Sequence, residues 1–167
     1  GISHYYKSDG TILVEEWLKH NGKSYYFDSN GDMVTGLYDV WGKNYFFGDD
    51  GAMKVNAWFQ AYGYWSGEYE WHYAKSNGEF ATGWLLLGGK YYFLESDGSM
   101  VTGGYEINGK VYFFENSGKM KANTLFQAYE DWYEEKWYYA KASGELATGL
   151  LKLGSNWYYL DDDFSMV

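Results

Sequence analysis

The chain has 167 residues, a formal charge of −10, 23% aromatic residues, 22 Gly and neither Pro nor Cys. The acidic balance excludes the clustered Lys and Arg that nucleic acid or an anionic membrane demands. Without Cys there is no disulfide framework and no thiol chemistry. The longest aliphatic run, Trp84 to Leu87, is far too short for a membrane span. No basic-then-apolar leader opens the chain, which reads as a processed piece of a larger secreted protein.

Residues 1–13 contain HYYKSDGTIL, the back half of a repeat. Residues 14–35 form a complete unit with Trp17, an Asn21-Gly22-Lys23 turn and Tyr25-Tyr26-Phe27. Residues 36–55 repeat it with Tyr38, Gly42-Lys43 and Tyr45-Phe46-Phe47. Residues 56–82 are longer, beginning NAWFQAY and carrying an insert where the turn is expected. Two short units follow at 83–102 and 103–122, then a second long one at 123–148, and a final unit at 149–167 with Phe164 in place of the turn Gly.

Gly10, Gly31, Gly51, Gly78, Gly98, Gly118 and Gly144 mark the register, and an apolar residue always stands two positions later. The order short, short, long recurs, so Gly31 and Gly98 are 67 residues apart, as are Gly51 and Gly118. A Gly-centred turn between period-2 aromatic segments signals a β-hairpin. One hairpin is marginal in water, but hairpins in series bury one another's rings. The expectation is an all-β solenoid of hairpin repeats, a single repeat domain over 1–167.

The pattern G-W/x-x-x-x-x-G-K-x-Y-Y/F-F followed by S-D/N-G-x-M-x-T-G resembles the cell-wall-binding repeat superfamily of Gram-positive bacteria. That superfamily includes choline-binding repeats, glucan-binding repeats and the C-terminal repeats of clostridial toxins. The resemblance implies a non-enzymatic targeting module whose ligands lie between adjacent hairpins. In the choline branch the pocket is built from the positions held here by Trp84, Tyr91 and Tyr112, with Met100 nearby. Unit 36–55 departs from it with Leu37 and Asn44, unit 103–122 with Gly104 and Val111, and unit 14–35 with Ser24. In two of these units the aromatic moves one place on, to Tyr38 and Tyr105, which is similar to the glucan-binding branch.

Rings that vary between units are the better ligand candidates, because scaffolding must repeat. On that ground Tyr38, Trp58, Trp71, Trp84 and Tyr105 rank first. A flat ring offers a face to a sugar or cation–π attraction to a quaternary ammonium. Lys43 and Lys110 can donate hydrogen bonds to sugar hydroxyls, or act as solvated charges that blunt a strand edge. Gln60 and Gln127 hold identical places in the two FQAY segments and can both donate and accept. The rings of the long inserts, among them Tyr64, Trp65, Trp132 and Tyr133, offer a wider platform or a longer hairpin. Adjacent acidic residues such as Asp49-Asp50 and Asp161-Asp162-Asp163 read as solvated charge rather than a calcium loop or a glycosidase pair. His4, His20 and His72 are scattered, and neither catalytic residues, metal nor cofactor is expected.

The leading expectation is a carbohydrate-binding module for glucan or a related surface polysaccharide, extracellular or attached to the cell surface. The alternatives are a choline-bearing cell-wall polymer (teichoic acid) as ligand, and a protein-interaction or adhesin segment.

Overall fold

The computed structural model describes residues 3–63, 66–131 and 134–167. Tyr64, Trp65, Trp132 and Tyr133 lie outside the described residues. Seven hairpins follow one another: β1 (Glu16–His20) with β2 (Lys23–Phe27), β3 (Gly36–Val40) with β4 (Lys43–Phe47), and β5 (Ala57–Tyr62) with β6 (Tyr69–Ala74). Next come β7 (Gly83–Leu87) with β8 (Lys90–Leu94), β9 (Gly103–Ile107) with β10 (Lys110–Phe114), β11 (Thr124–Asp131) with β12 (Glu134–Ala140), and β13 (Gly149–Leu153) with β14 (Asn156–Leu160). Among the described residues each sheet is one two-stranded hairpin, and no helix occurs.

The tips at 21–22, 41–42, 88–89 and 108–109 are two-residue turns with both φ angles positive, as at Asn108-Gly109 (53° and 75°). That is the turn whose twist matches paired strands. Trp41 takes the same conformation before Gly42, with φ 55°, which leaves its indole largely exposed at the tip.

A second turn links each hairpin to the next. Asp50, Asp97 and Asp163 close it by accepting the backbone N–H two residues on, so these carboxylates shape the backbone as well as facing water. The Gly of this turn serves twice. At Gly118 φ is 77°, and a methyl there would overlap the Met100 sulfur; Gly51 stands in the same relation to Met33. The apolar residue of one repeat thus lies beneath the turn of the following one, which explains their strict phasing. Phe164 keeps the left-handed turn without Gly, at φ 69°, and packs against the core instead.

Backbone bonds tie several repeats to their predecessors. Met53 N–H donates to the Ser24 carbonyl, Met120 to Tyr91 and Met166 to Trp137, each at 2.8 Å. Their acceptors occupy one equivalent place, three residues before the end of a hairpin's second strand.

The chain divides into two compact units, Gly1–Gly83 with Leu94–Ser99, and Trp84–Phe93 with Met100–Val167. The first holds a cluster of Tyr26, Val34, Val40, Tyr45 and Phe47, with Trp17 and Tyr38 packed against it. A second cluster there contains Phe59, Ala61, Ala74 and Phe80. The other unit repeats both: Val101, Ile107, Tyr112 and Phe114 with Phe93 and Tyr105, then Phe126, Tyr138, Ala140 and Leu146. The 67-residue recurrence is therefore a recurrence of core packing.

Candidate functional site

Three rings from two consecutive hairpins meet in the second unit. Trp84 is the second residue of β7, Tyr91 the second of β8, and Tyr112 the third of β10. Tyr91 stands edge-on to Trp84 at 6.2 Å and 90°, and Tyr112 at 5.0 Å and 75°. Phe93 and Phe114 pack on Trp84 at 5.2 and 6.0 Å and set its indole from below. Trp84 and Tyr91 remain 42% and 47% exposed, whereas Tyr112 is only 9% exposed. The Met120 N–H holds the Tyr91 backbone against the hairpin that carries Tyr112. The result is an open corner of ring faces and edges, the surface that suits a cation or the C–H face of a ligand. Met100 lies partly buried beneath Gly118.

The same assembly stands in the first unit. Trp17 meets Tyr45 at 5.1 Å and 72°, Tyr26 at 5.1 Å and Phe47 at 5.9 Å. Only the outer wall differs, because Ser24 takes the place of Tyr91. Trp17 and Tyr45 were not among the candidates from sequence. The 67-residue spacing maps them onto Trp84 and Tyr112 and was the available signal. Burial, reinforced by Glu79, pushes the Tyr45 phenol above its ordinary range, so this ring stays neutral.

The remaining candidates are distributed differently. Tyr38 and Tyr105 are half-buried scaffold rings, packed on Tyr26 at 5.9 Å and on Phe93 at 6.0 Å. Trp58 stands edge-on to Tyr73 at 5.1 Å. Gln60 lies across the ladder from the half-exposed Trp71, and Gln127 across from Trp137, so an amide and an indole share one face of each long hairpin.

Lys43 and Lys110 are ion-paired rather than left open as sugar donors. Lys43 Nζ donates to Glu79, and Lys110 Nζ to Glu145 at 2.5 Å. Lys23 is paired likewise with Asp50 at 2.8 Å. Each of the three pairs joins a hairpin tip to the following repeat. Hydrogen bonds from Lys43 and then Lys75 hold the Glu79 carboxyl down at about 2 from an ordinary 4.5. A carboxyl depressed on folding stabilises fully above its unfolded value and loses that contribution as pH falls through its folded value. The melting temperature is therefore expected to fall between about pH 4.5 and 2. In Glu79→Gln that acid limb should be shallower, as measured by thermal melts across the range.

Among the described residues no group of three or more His, Cys, Asp or Glu side chains is placed to hold a metal, and no helix is long and apolar enough to cross a membrane. His4 bonds Asp32 at 2.7 Å and His20 bonds Asn21 at 2.9 Å. His72 is buried.

A family profile described as a choline-binding repeat matches residues 14–58 and 81–125, and one described as a cell wall binding repeat matches 148–163. The fold is similar to choline binding protein F of Streptococcus pneumoniae, with 31% identity and a TM-score of 0.76, covering 98% of this chain and 54% of that one. It is similar also to the modular autolysin LytC of the same species, with 28% identity and a TM-score of 0.75, covering 98% and 36%. A pneumococcal protein carrying the name endo-beta-N-acetylglucosaminidase is 34% identical over 88 residues, 52% of this chain and 12% of that protein. The chain thus spans only a fraction of the relatives it matches.

Proposed function

Because the chain belongs to the choline-binding repeat family, we propose that it is a non-catalytic anchor that grips a choline-bearing cell-wall polymer at the bacterial surface. The observation that carries this reading is the corner formed by Trp84, Tyr91 and Tyr112. A quaternary ammonium cannot donate a hydrogen bond and is recognised by ring faces, which that corner supplies. The net charge of −10 favours a cationic group over an anionic one. A glucan ligand, the leading expectation from sequence, loses its basis at Tyr38, Lys43, Tyr105 and Lys110, which are engaged in packing and ion pairs. The matched family is the choline-binding one. Single corners of this kind bind weakly, and repetition along a polymer raises the effective affinity.

The test is retention on a resin bearing tertiary or quaternary amines. Elution by millimolar choline, with no elution by isomaltooligosaccharides, is the expected result. Passage through that resin with retention on dextran would overturn the reading.

A further inference from the structure

The joint between the second and third hairpins has lost all three cage positions at once. Leu37 stands where Trp17 and Trp84 do, Asn44 where Tyr91 does, and His72 where Tyr45 and Tyr112 do. In their place is an open cavity of about 170 Å³, contained within the first compact unit. Around it polar groups gather: the Asn44 amide, the Ser66 hydroxyl and the carboxylates of Glu70 and Asp97. The exposed ring of Tyr62 lies at its rim, and Phe80 lies within. Gly63 keeps the site open, since a Cβ there would stand 2.5 Å from Glu70 Oε2 and overlap Ser66 Oγ.

His72 is the residue that most sets this joint apart from the others. It is 6% exposed, stacked on Phe59 at 5.5 Å and tilted against Phe80 at 5.1 Å, and its Nδ1 has no hydrogen-bond partner. Burial pushes the His72 imidazole below its ordinary range, partly offset by the Gly98 backbone beside the ring, which does not supply that nitrogen a well-formed bond. Tyr fills the corresponding place at Tyr25, Tyr45, Tyr112, Tyr138 and Tyr158, so packing alone does not call for an imidazole. His72 lines the cavity beside Asn44 and Asp97 and shapes the wall that a ligand there would meet.

We propose that this joint binds a sugar ring, a neutral polyhydroxylated ligand, and not a quaternary ammonium. The carboxylates attract a trimethylammonium group by charge alone, but it has no hydrogen to give them, and the three cage positions that would enclose it are replaced by Leu37, Asn44 and His72. A sugar presents several hydroxyls that donate to Glu70 and Asp97 and both donate to and accept from Asn44 and Ser66. Its C–H face can lie on Tyr62. The site would recognise the carbohydrate part of a polymer while the Trp84 corner engages its cationic part. The inference stands on its own observations, whatever ligand the Trp84 corner takes.

The test is an NMR titration of isotope-labelled protein held in saturating choline, with maltose, isomaltose, cellobiose and N,N′-diacetylchitobiose as separate probes. At least one disaccharide is expected to shift the His72 ring and Asn44 amide signals saturably. His72→Tyr, which restores the residue of the other repeats and keeps the stack, should weaken that binding about tenfold or more. Glu70→Gln, on the cavity wall, should weaken it in the same direction. Folding is verified by unchanged dispersion of the Trp indole signals. If no probe shifts these signals, or the shifts are unaltered in both variants, the proposal is wrong. It is equally wrong if choline, titrated into the choline-free protein, produces them and no sugar does.

Discussion

Trp84→Ala is expected to weaken choline binding at its joint by about thirtyfold, a loss of ~2 kcal/mol for a desolvated cation–π contact. Trp84 is the ring on which Tyr91, Phe93, Tyr112 and Phe114 all converge. Its removal takes away one wall and lets the others relax. Because that could disturb packing, Tyr91→Ser supplies the control. Tyr91 is half-exposed, and Ser already occupies the matching position of the Trp17 joint as Ser24. The fold tolerates Ser there. Tyr91→Ser should weaken binding by about tenfold, the share of one exposed ring. Isothermal titration with choline reads both. Unchanged affinity in a folded Tyr91→Ser protein would mean that this corner is not the grip.

The largest expected loss of stability is at Phe114. Its side chain is 0% exposed and sits among Val101, Ile107 and Tyr112, beneath Trp84. Phe114→Ala removes a full ring and leaves a cavity, which costs about 3–5 kcal/mol in a close-packed core. In a chain of this size that lowers the melting temperature by roughly 10 °C. The loss should be read from signals of residues 84–93 and 100–167, the unit to which Phe114 belongs. Leu37→Ala, at a half-exposed position, should change stability by less than about 1 kcal/mol by the same measurement. Equal effects at the two positions would contradict the assignment of Phe114 to the core.

Much of the fold was legible because local chemistry determines it. Asn21-Gly22 and Asn108-Gly109 announce their hairpins, and the Gly–Met phasing announces how repeats meet. The Trp84, Tyr91 and Tyr112 corner was legible through its resemblance to a known repeat. The roles of Tyr38, Tyr105, Lys43 and Lys110 were not. Period-2 alternation splits rings between two faces but does not say which face meets the next hairpin. Lys43 finds its carboxylate 36 residues away, beyond a long hairpin, and no short-range pattern reveals that pairing. His72 looked like a stray histidine until β5 and β6 paired it with Phe59 in the register where other repeats carry Tyr.

The most direct test of ligand capture between consecutive hairpins is a set of intermolecular NOEs from the N-methyl protons of bound choline. Contacts to the Trp84 indole, Tyr91 and Tyr112 rings together are predicted. N-methyl contacts confined to isolated surface rings such as Trp41, or none at saturating choline in the folded protein, would contradict it.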